Sequence, residues 1–393
     1  MTITILGAGC GKAALTEEAR RALEEAELVI GAKRLLDDLS PACKTVAEIS
    51  SERIAMILSE ANCDNACVLL SGDTGFYSGA RRLLPLLQGH KVRVLPGVSS
   101  VQALAARLGR PWQDWTLCSA HGVDFDVRCA VCGGKPVFVL TSGADTPVAL
   151  CRELADAGLG ALPVTVAENL GYEDERIVSA PADEIAAQTF APLNVMLIEA
   201  APHLPPRAPG WPDEVFSRAE GVPMTKQLVR SAAISALGIT PGDVCWDVGA
   251  GTGSVSVELS RLCRAVYAAE RDKTALDAAK QNRTKFCAWN LRLIEGEAPD
   301  ALRGLPAPDK VFLGGTGGKL RDILQLIHEK NPKAIVCATA ITIETLSQAV
   351  SEMESLGLRT EIMQLAVSRS RRTAAGHMML AHNPVYLIVG DGE

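Results

Sequence analysis

Along the first half of the chain, short β-branched apolar runs alternate with stretches whose apolar residues recur at helical spacing. Residues 2–6 form the first run, 15–26 the helical stretch after it, 28–30 the next run, and the alternation continues to 194–198. Such alternation predicts an α/β fold. The pattern lapses between Ala201 and Pro223, where prolines stand at 202, 205, 206, 209, 212 and 223 among few apolar positions, the composition of a linker. It then resumes with greater regularity. Strands are predicted at 244–248, 265–269, 291–294, 310–313, 334–338, 359–367 and 385–389, with helices at 254–263, 273–285, 320–329 and 343–356 among them. No helix separates the last two strands, so they are expected to pair antiparallel at one edge of an otherwise parallel sheet. The two halves do not read as repeats of one another. The expected organisation is a domain over 1–200, a proline-rich linker over 201–220 and a second domain over 221–393.

Composition narrows the class. A chain of 393 residues is too long for one ordinary core, and 48% hydrophobic with 22% charged residues is an ordinary globular balance. No apolar run approaches the roughly 18 residues of a membrane span, and residues 1–6 lack a basic n-region and cleavage site, so a cytoplasmic protein is expected. The twelve cysteines are scattered, and several, Cys245 and Cys337 among them, lie in apolar stretches, which favours reduced core thiols. Cys63/Cys67 and Cys129/Cys132 have ligand-like spacing, but no second pair or nearby histidine completes a zinc site, and no metal is expected. A net charge of -7 opposes a broad nucleic-acid surface.

The clearest chemistry is VCWDVGAGTGS, starting at Val244. A hydrophobic strand carries Asp247 and ends in a turn with Gly249, Gly251 and Gly253 that opens a helix. Glycine lets the backbone approach a ligand, and the helix start offers free N–H groups. The next strand ends in Glu270, where a carboxylate can accept both hydroxyls of a ribose. The glycine spacing departs from the dinucleotide fingerprint, and an acid two residues before the loop suits a cationic amino group better than a pyrophosphate. This half resembles the class I S-adenosylmethionine-dependent methyltransferases, with their seven-stranded sheet and antiparallel last strand. Three further stretches narrow the resemblance to the decarboxylating precorrin C-15 methyltransferases: Gly221 to Lys226 (GVPMTK), Gly296 to Pro299 (GEAP) and the glycine-rich 314–318 (GGTGG). It implies that Thr225, Asp247, Gly249, Gly251, Gly253, Glu270, Glu297 and Ala298 hold S-adenosylmethionine, and that the loop beginning at Gly314 faces the reacting methyl.

In the first half, ILGAGCGK (5–12) carries Gly7 and Gly9, SGDTGFY (71–77) carries Gly72, Asp73, Gly75, Phe76 and Tyr77, and PGVSS (96–100) carries Ser99 and Ser100. Each follows an apolar run, at the strand ends where parallel sheets bind ligands. Three such loops in this order resemble the tetrapyrrole methylases, which bind S-adenosylmethionine between two α/β subdomains. Members commonly carry proline after the Gly-Asp pair, where this chain has Thr74. Ser119-Ala120-His121-Gly122 looks most like the precorrin C-5 branch, with His121 either fixing a loop or acting in catalysis.

Two different methyltransferase folds on one chain resemble the fused, decarboxylating precorrin C-5,15-methyltransferases of cobalamin biosynthesis. The resemblance implies two S-adenosylmethionine molecules per chain, a tetrapyrrole substrate, no nucleic-acid or membrane partner, and an assembly of identical chains. A reduced tetrapyrrole is itself an electron-rich carbon nucleophile, so alignment carries most of the rate. Its carboxylates need cations, and Lys226, Arg230, Lys319, Arg369, Arg371 and Arg372 are the candidates; His377 is the candidate proton donor in decarboxylation. The alternatives are a methyltransferase acting on RNA or protein, a non-catalytic cofactor-binding or scaffold protein, and a nicotinamide dehydrogenase.

Overall fold

The computed structural model describes residues 1–121, 125–374 and 376–392, so Gly122 lies outside the described residues. The chain forms two compact units, Met1–Ala130 with Lys135–Ala200, and Val131–Gly134 with Ala201–Glu393.

The first unit contains two five-stranded sheets. One is parallel, β1 (Thr2–Gly7), β2 (Leu28–Gly31), β3 (Lys44–Ala47), β4 (Asn65–Leu70) and β5 (Lys91–Leu95), in the order β3-β2-β4-β1-β5. β1 is buried from Ile3 to Gly7, as expected of a continuous apolar run covered on both faces. Its register, Gly7 beside Leu70 and Leu6 beside Leu95, brings the loops that follow β1, β4 and β5 to one edge. The other sheet is mixed: β6 (Thr116–Ser119), β7 (Val137–Leu140), β8 (Pro163–Glu168), β9 (Arg176–Pro181) and β10 (Asn194–Ile198), ordered β6-β7-β10-β8-β9. The helix Ser100–Leu108 starts at a reciprocal cap between Ser99 and Gln102 and buries Val101, Leu104 and Ala105 against Phe138, Ala167 and Leu197 of the second sheet. That packing fixes where Ser99 and Ser100 stand.

The second unit is built on one seven-stranded sheet, β11 (Val244–Val248), β12 (Ala265–Glu270), β13 (Leu291–Glu295), β14 (Lys310–Leu313), β15 (Ile335–Ala340), β16 (Arg359–Leu365) and a last strand, Val385–Asp391. Successive side chains of β11 serve opposite layers: Cys245 packs with Val229, Ala233 and Val257, and Trp246 with Leu320, Ile323 and Leu324. The last strand lies between β15 and β16 and runs antiparallel to both, so the antiparallel pairing stands while β16 takes the edge.

Two features depart from the sequence reading. Residues after 365 form a hairpin, β17 (Ser368–Thr373) and β18 (Gly376–Ala381), that completes the numbering before β19, the last strand. All its strand positions are exposed, so no core imposes an apolar alternation that the sequence could display. The proline-rich stretch, in turn, is strapped to the second unit. Trp289 Nε1 donates to Pro202 O (2.7 Å), Arg261 to Leu204 O and Pro205 O, and Gly210 N to Glu258 Oε2 (2.6 Å). Phe216 is buried and stacked on Phe286 at 4.8 Å.

Candidate functional sites

In the first unit a cavity of about 230 Å³ opens at the shared strand edge. Gly9 and Gly72 exchange backbone hydrogen bonds at 3.1 Å, stitching the loop after β1 to the loop after β4. A Cβ on Gly7 would lie 2.6 Å from Gly72 O and 2.7 Å from Gly97 N, so three backbones meet where no side chain fits. Asp73 accepts from Gly75 N (2.8 Å) and Gly97 N (3.1 Å), and Thr74 donates to Leu95 O (3.2 Å). Thus Thr74 ties the loop to β5 by a hydrogen bond, in the place where proline would stiffen it covalently. Tyr77 donates to Leu117 O (2.9 Å), its ring edge-on to Phe76.

Of the residues expected here, Gly9, Gly72, Asp73, Phe76, Tyr77, Ser99 and Ser100 line the cavity, whereas Gly7 and Gly75 shape the loops behind it. His121 also lines it; its N–H donates to Ser119 Oγ (3.2 Å), and burial holds its imidazole below the ordinary histidine value, hence neutral at pH 7. Sequence reasoning missed Cys10, Arg34, Thr141, Tyr172 and Asn194. For Arg34, three residues beyond β2, and Tyr172, four beyond β8, the only signal was position after a strand end.

The second unit holds a cavity of about 350 Å³. Thr225, Asp247, Gly249, Gly251, Glu270, Glu297, Ala298 and Gly314 all line it, joined by Met224 and Thr316 from the GVPMTK and GGTGG stretches, and the sequence missed Arg271 and Asp272. A Cβ on Gly249 would fall 2.4 Å from Gly315 O, and Gly251 has φ +54° with Pro223 O 3.2 Å from its would-be Cβ. Gly253 stands apart, capping the helix Ser254–Ser260 where a Cβ would press on Ala279. Asp247 is 1% exposed; burial pushes its carboxyl up to about 7, although Ser256 Oγ donates to it. Glu270 accepts from Gly251 N (2.8 Å), Arg271 N (2.8 Å) and Asp272 N (2.9 Å), which aims the carboxylate and leaves lone pairs for further donors. Glu297 is gripped by Lys319 Nζ (2.7 Å) and Arg271 Nη1 (2.9 Å), both of which hold its carboxyl below the usual range. A glycine cradle closed to side chains, an aimed carboxylate and a buried acid fit a nucleoside carrying an ammonium group.

The expected substrate cations separate. Arg230 is corrected: it is fully buried and donates to Glu258 Oε1 (2.6 Å), Asp213 Oδ1 (3.3 Å), Thr225 O (2.6 Å) and Trp211 O, leaving no free face for a ligand. Its role is to fix the segment carrying Thr225. Lys319 is committed to Glu297, and Lys226 is exposed just before the helix Gln227–Leu237. Arg369, Arg371 and Arg372 are exposed on β17, with Arg369 reaching Gln227 Oε1 (3.2 Å), and His377 pairs opposite Arg372. None of these four lines either cavity.

Comparison with known proteins places these features. Residues 2–186 match the family described as Tetrapyrrole (Corrin/Porphyrin) Methylases, and residues 214–389 match the Precorrin methyltransferase domain. The fold and its glycine-walled sites therefore define a two-part α/β methyltransferase that uses S-adenosylmethionine. A precorrin-6Y C(5,15)-methyltransferase [decarboxylating] of Sinorhizobium sp is 34% identical over 337 residues, 81% of this chain and 79% of its own. The chain belongs to this family of decarboxylating precorrin methyltransferases of cobalamin biosynthesis. A probable cobalt-precorrin-6B C(15)-methyltransferase (decarboxylating) of Pyrobaculum calidifontis is 45% identical over 188 residues, 47% of this chain and 96% of its own. A solved precorrin-6Y C5,15-methyltransferase of Geobacter metallireducens GS-15 is 35% identical, covering 47% of this chain and 99% of itself with a TM-score of 0.45. Membership sets aside the RNA, protein, non-catalytic and dehydrogenase alternatives. Among the described residues, no helix is long and apolar enough to cross a membrane.

Proposed function

We propose that the two cavities are separate S-adenosylmethionine sites, two per chain, with the first unit methylating C-5 of the precorrin and the second methylating C-15 and removing carbon dioxide. One observation carries the reading: each cavity is walled by the residues of one unit alone. The Pyrobaculum relative, about one unit long, is named for C(15) methylation with decarboxylation, which supports giving both to a single unit. When bound, the cofactor supplies an activated methyl group. In the second unit Glu270 receives the ribose hydroxyls, Asp247 faces the ammonium group, and the loop beginning at Gly314 lies against the reacting centre. Lys226, Arg369, Arg371 and Arg372 grip acid arms of the macrocycle, and His377 returns a proton after carbon dioxide leaves. Electrons from that carboxylate flow into the conjugated ring, so the protein need supply only orientation and the proton. An arginine bound too tightly to the departing carboxylate would stabilise the ground state, so the arginines hold the other arms.

Calorimetric titration of the full chain with S-adenosylhomocysteine tests this. Two molecules should bind per wild-type chain, and one to each of Gly251→Arg, which fills the second cavity, and Ser100→Trp, which fills the first. Binding of a single molecule to fully active wild-type protein would remove the two-site reading. Carbon dioxide release should disappear in Gly251→Arg and persist in Ser100→Trp; the reverse would exchange the assignments.

A further inference from the structure

We propose that Arg34, with the hydroxyls of Tyr172 and Ser71, forms a carboxylate-binding subsite on the rim of the first unit's cavity, and that it holds an acid arm of the tetrapyrrole during C-5 methylation. The proposal rests on the reading of that cavity as the C-5 site.

Arg34 is an exposed cation lining a cavity, and its hydrogen bonds go to two neutral groups. Nη1 donates to Tyr172 Oη and Nη2 to Ser71 Oγ (3.2 Å), with the guanidinium 5.5 Å from the centre of the Tyr172 ring. The carboxylates around it are engaged elsewhere. Glu175 is bidentate with Arg107 (2.7 and 3.2 Å) and also accepts from Gly171 N; Asp37 pairs with Lys33 (2.9 Å); Asp73 holds the N–H groups of Gly75 and Gly97. Burial, with a smaller push from the Asp38 charge, raises the Tyr172 phenol, and among the described residues Asp38 has no ion pair with Arg34.

The direction of these bonds decides what the cluster can take. An arginine only donates, so the oxygens of Tyr172 and Ser71 are acceptors toward it, and each hydroxyl hydrogen is left to donate to a further acceptor. A phenol is protonated at neutral pH, and burial pushes that of Tyr172 further up. The cluster thus presents guanidinium N–H groups and two O–H groups, the complement of a carboxylate. The bonds to Tyr172 and Ser71 pre-orient the fork, so less side-chain freedom is lost when an anion docks. A tetrapyrrole is a disc whose acid arms project from its edge, and an edge entering this cavity brings an arm to its rim. The cofactor also carries a carboxylate, so the test must separate the two sources.

Full-length wild type, Arg34→Gln and Arg34→Lys should be compared for C-5 methylation of the precorrin and, by calorimetry, for S-adenosylhomocysteine affinity at the first site. Loss of a charge-assisted contact should raise KM for the precorrin about tenfold or more in Arg34→Gln with kcat nearly held, while Arg34→Lys recovers part of it. Cofactor affinity should stay within about twofold of wild type. A precorrin whose arms are converted to neutral methyl esters should show no further KM penalty from Arg34→Gln. An unchanged KM for the acid substrate overturns the proposal. So does a loss of S-adenosylhomocysteine affinity with KM unchanged, which would give Arg34 to the cofactor. Failure of the underlying reading has its own signature, since C-5 methylation would then survive Ser100→Trp whatever Arg34 does.

Discussion

At the scale of single residues, the acid that the sequence offered as a ligand group is also a source of strain on the fold. Asp247 titrates near 7 when folded, because burial disfavours its charge, against about 3.9 in an unfolded chain. Between those values the folded state keeps a proton that the unfolded state has lost. Stability contributed at this position therefore falls as pH rises from 4 to 7 and is flat above, a loss on the order of 4 kcal/mol if the whole shift is counted. Asp247→Asn removes that penalty. It should raise the melting temperature of the unliganded protein at pH 8, change it little at pH 4, and weaken S-adenosylhomocysteine at the second site because a neutral amide cannot balance an ammonium. Thermal melts at the two pH values check the first part, and a wild-type protein whose stability rises from pH 5 to 7 relative to the variant would refute it. The same residue shows what a sequence can convey: an acid inside an apolar strand ahead of glycines announces a ligand group, because burying a charge without purpose is costly.

At the scale of elements, the Arg230 cluster shows why a cation at the right place in the chain need not be a ligand. Arg230 lies one helical turn into Gln227–Leu237, close in sequence to the cavity residue Thr225, which made it a substrate candidate. Its partners come from Asp213, Trp211 and Glu258, residues distant in sequence, and no local pattern foretells their convergence. Arg230→Ala would leave Glu258 buried without its counter-charge, held only by the N–H groups of Gly210 and Trp211, and should destabilise the second unit by about 3–5 kcal/mol. Chemical denaturation monitored by tryptophan fluorescence measures it; a change below about 1 kcal/mol would deny the cluster its structural role. Strands were legible for the opposite reason. β1, β11 and β14 are covered on both faces, so their residues are mainly apolar, with Asp247 the exception in β11, whereas β17 and β18 are exposed at every position and show no apolar alternation imposed by a core. Likewise the glycine loops showed in the sequence because tight backbone contact admits one residue type, while Arg34 and Tyr172 meet only once two sheets are assembled.

At the scale of the whole chain, the question is where the second unit begins. Composition places its start at 221, after a linker, but the contacts place Trp211, Asp213 and Phe216 in that unit. A fragment of residues 221–393 would lose two of the groups around the Arg230 guanidinium, Asp213 Oδ1 and Trp211 O, leaving a buried cation with one carboxylate and Thr225 O. It would also lose Phe216, whose burial is worth about 1.5–3 kcal/mol. With the partial loss of a buried ion network the deficit rivals the roughly 5–15 kcal/mol by which a domain is usually stable. A fragment of residues 201–393 keeps all of these contacts. It should therefore melt cooperatively, bind one S-adenosylhomocysteine and release carbon dioxide from the precorrin, whereas 221–393 should melt at least about 10 °C lower or show no cooperative transition. Equal melting temperatures would mean that the proline-rich stretch is a tether after all, and that Arg230 is satisfied without it.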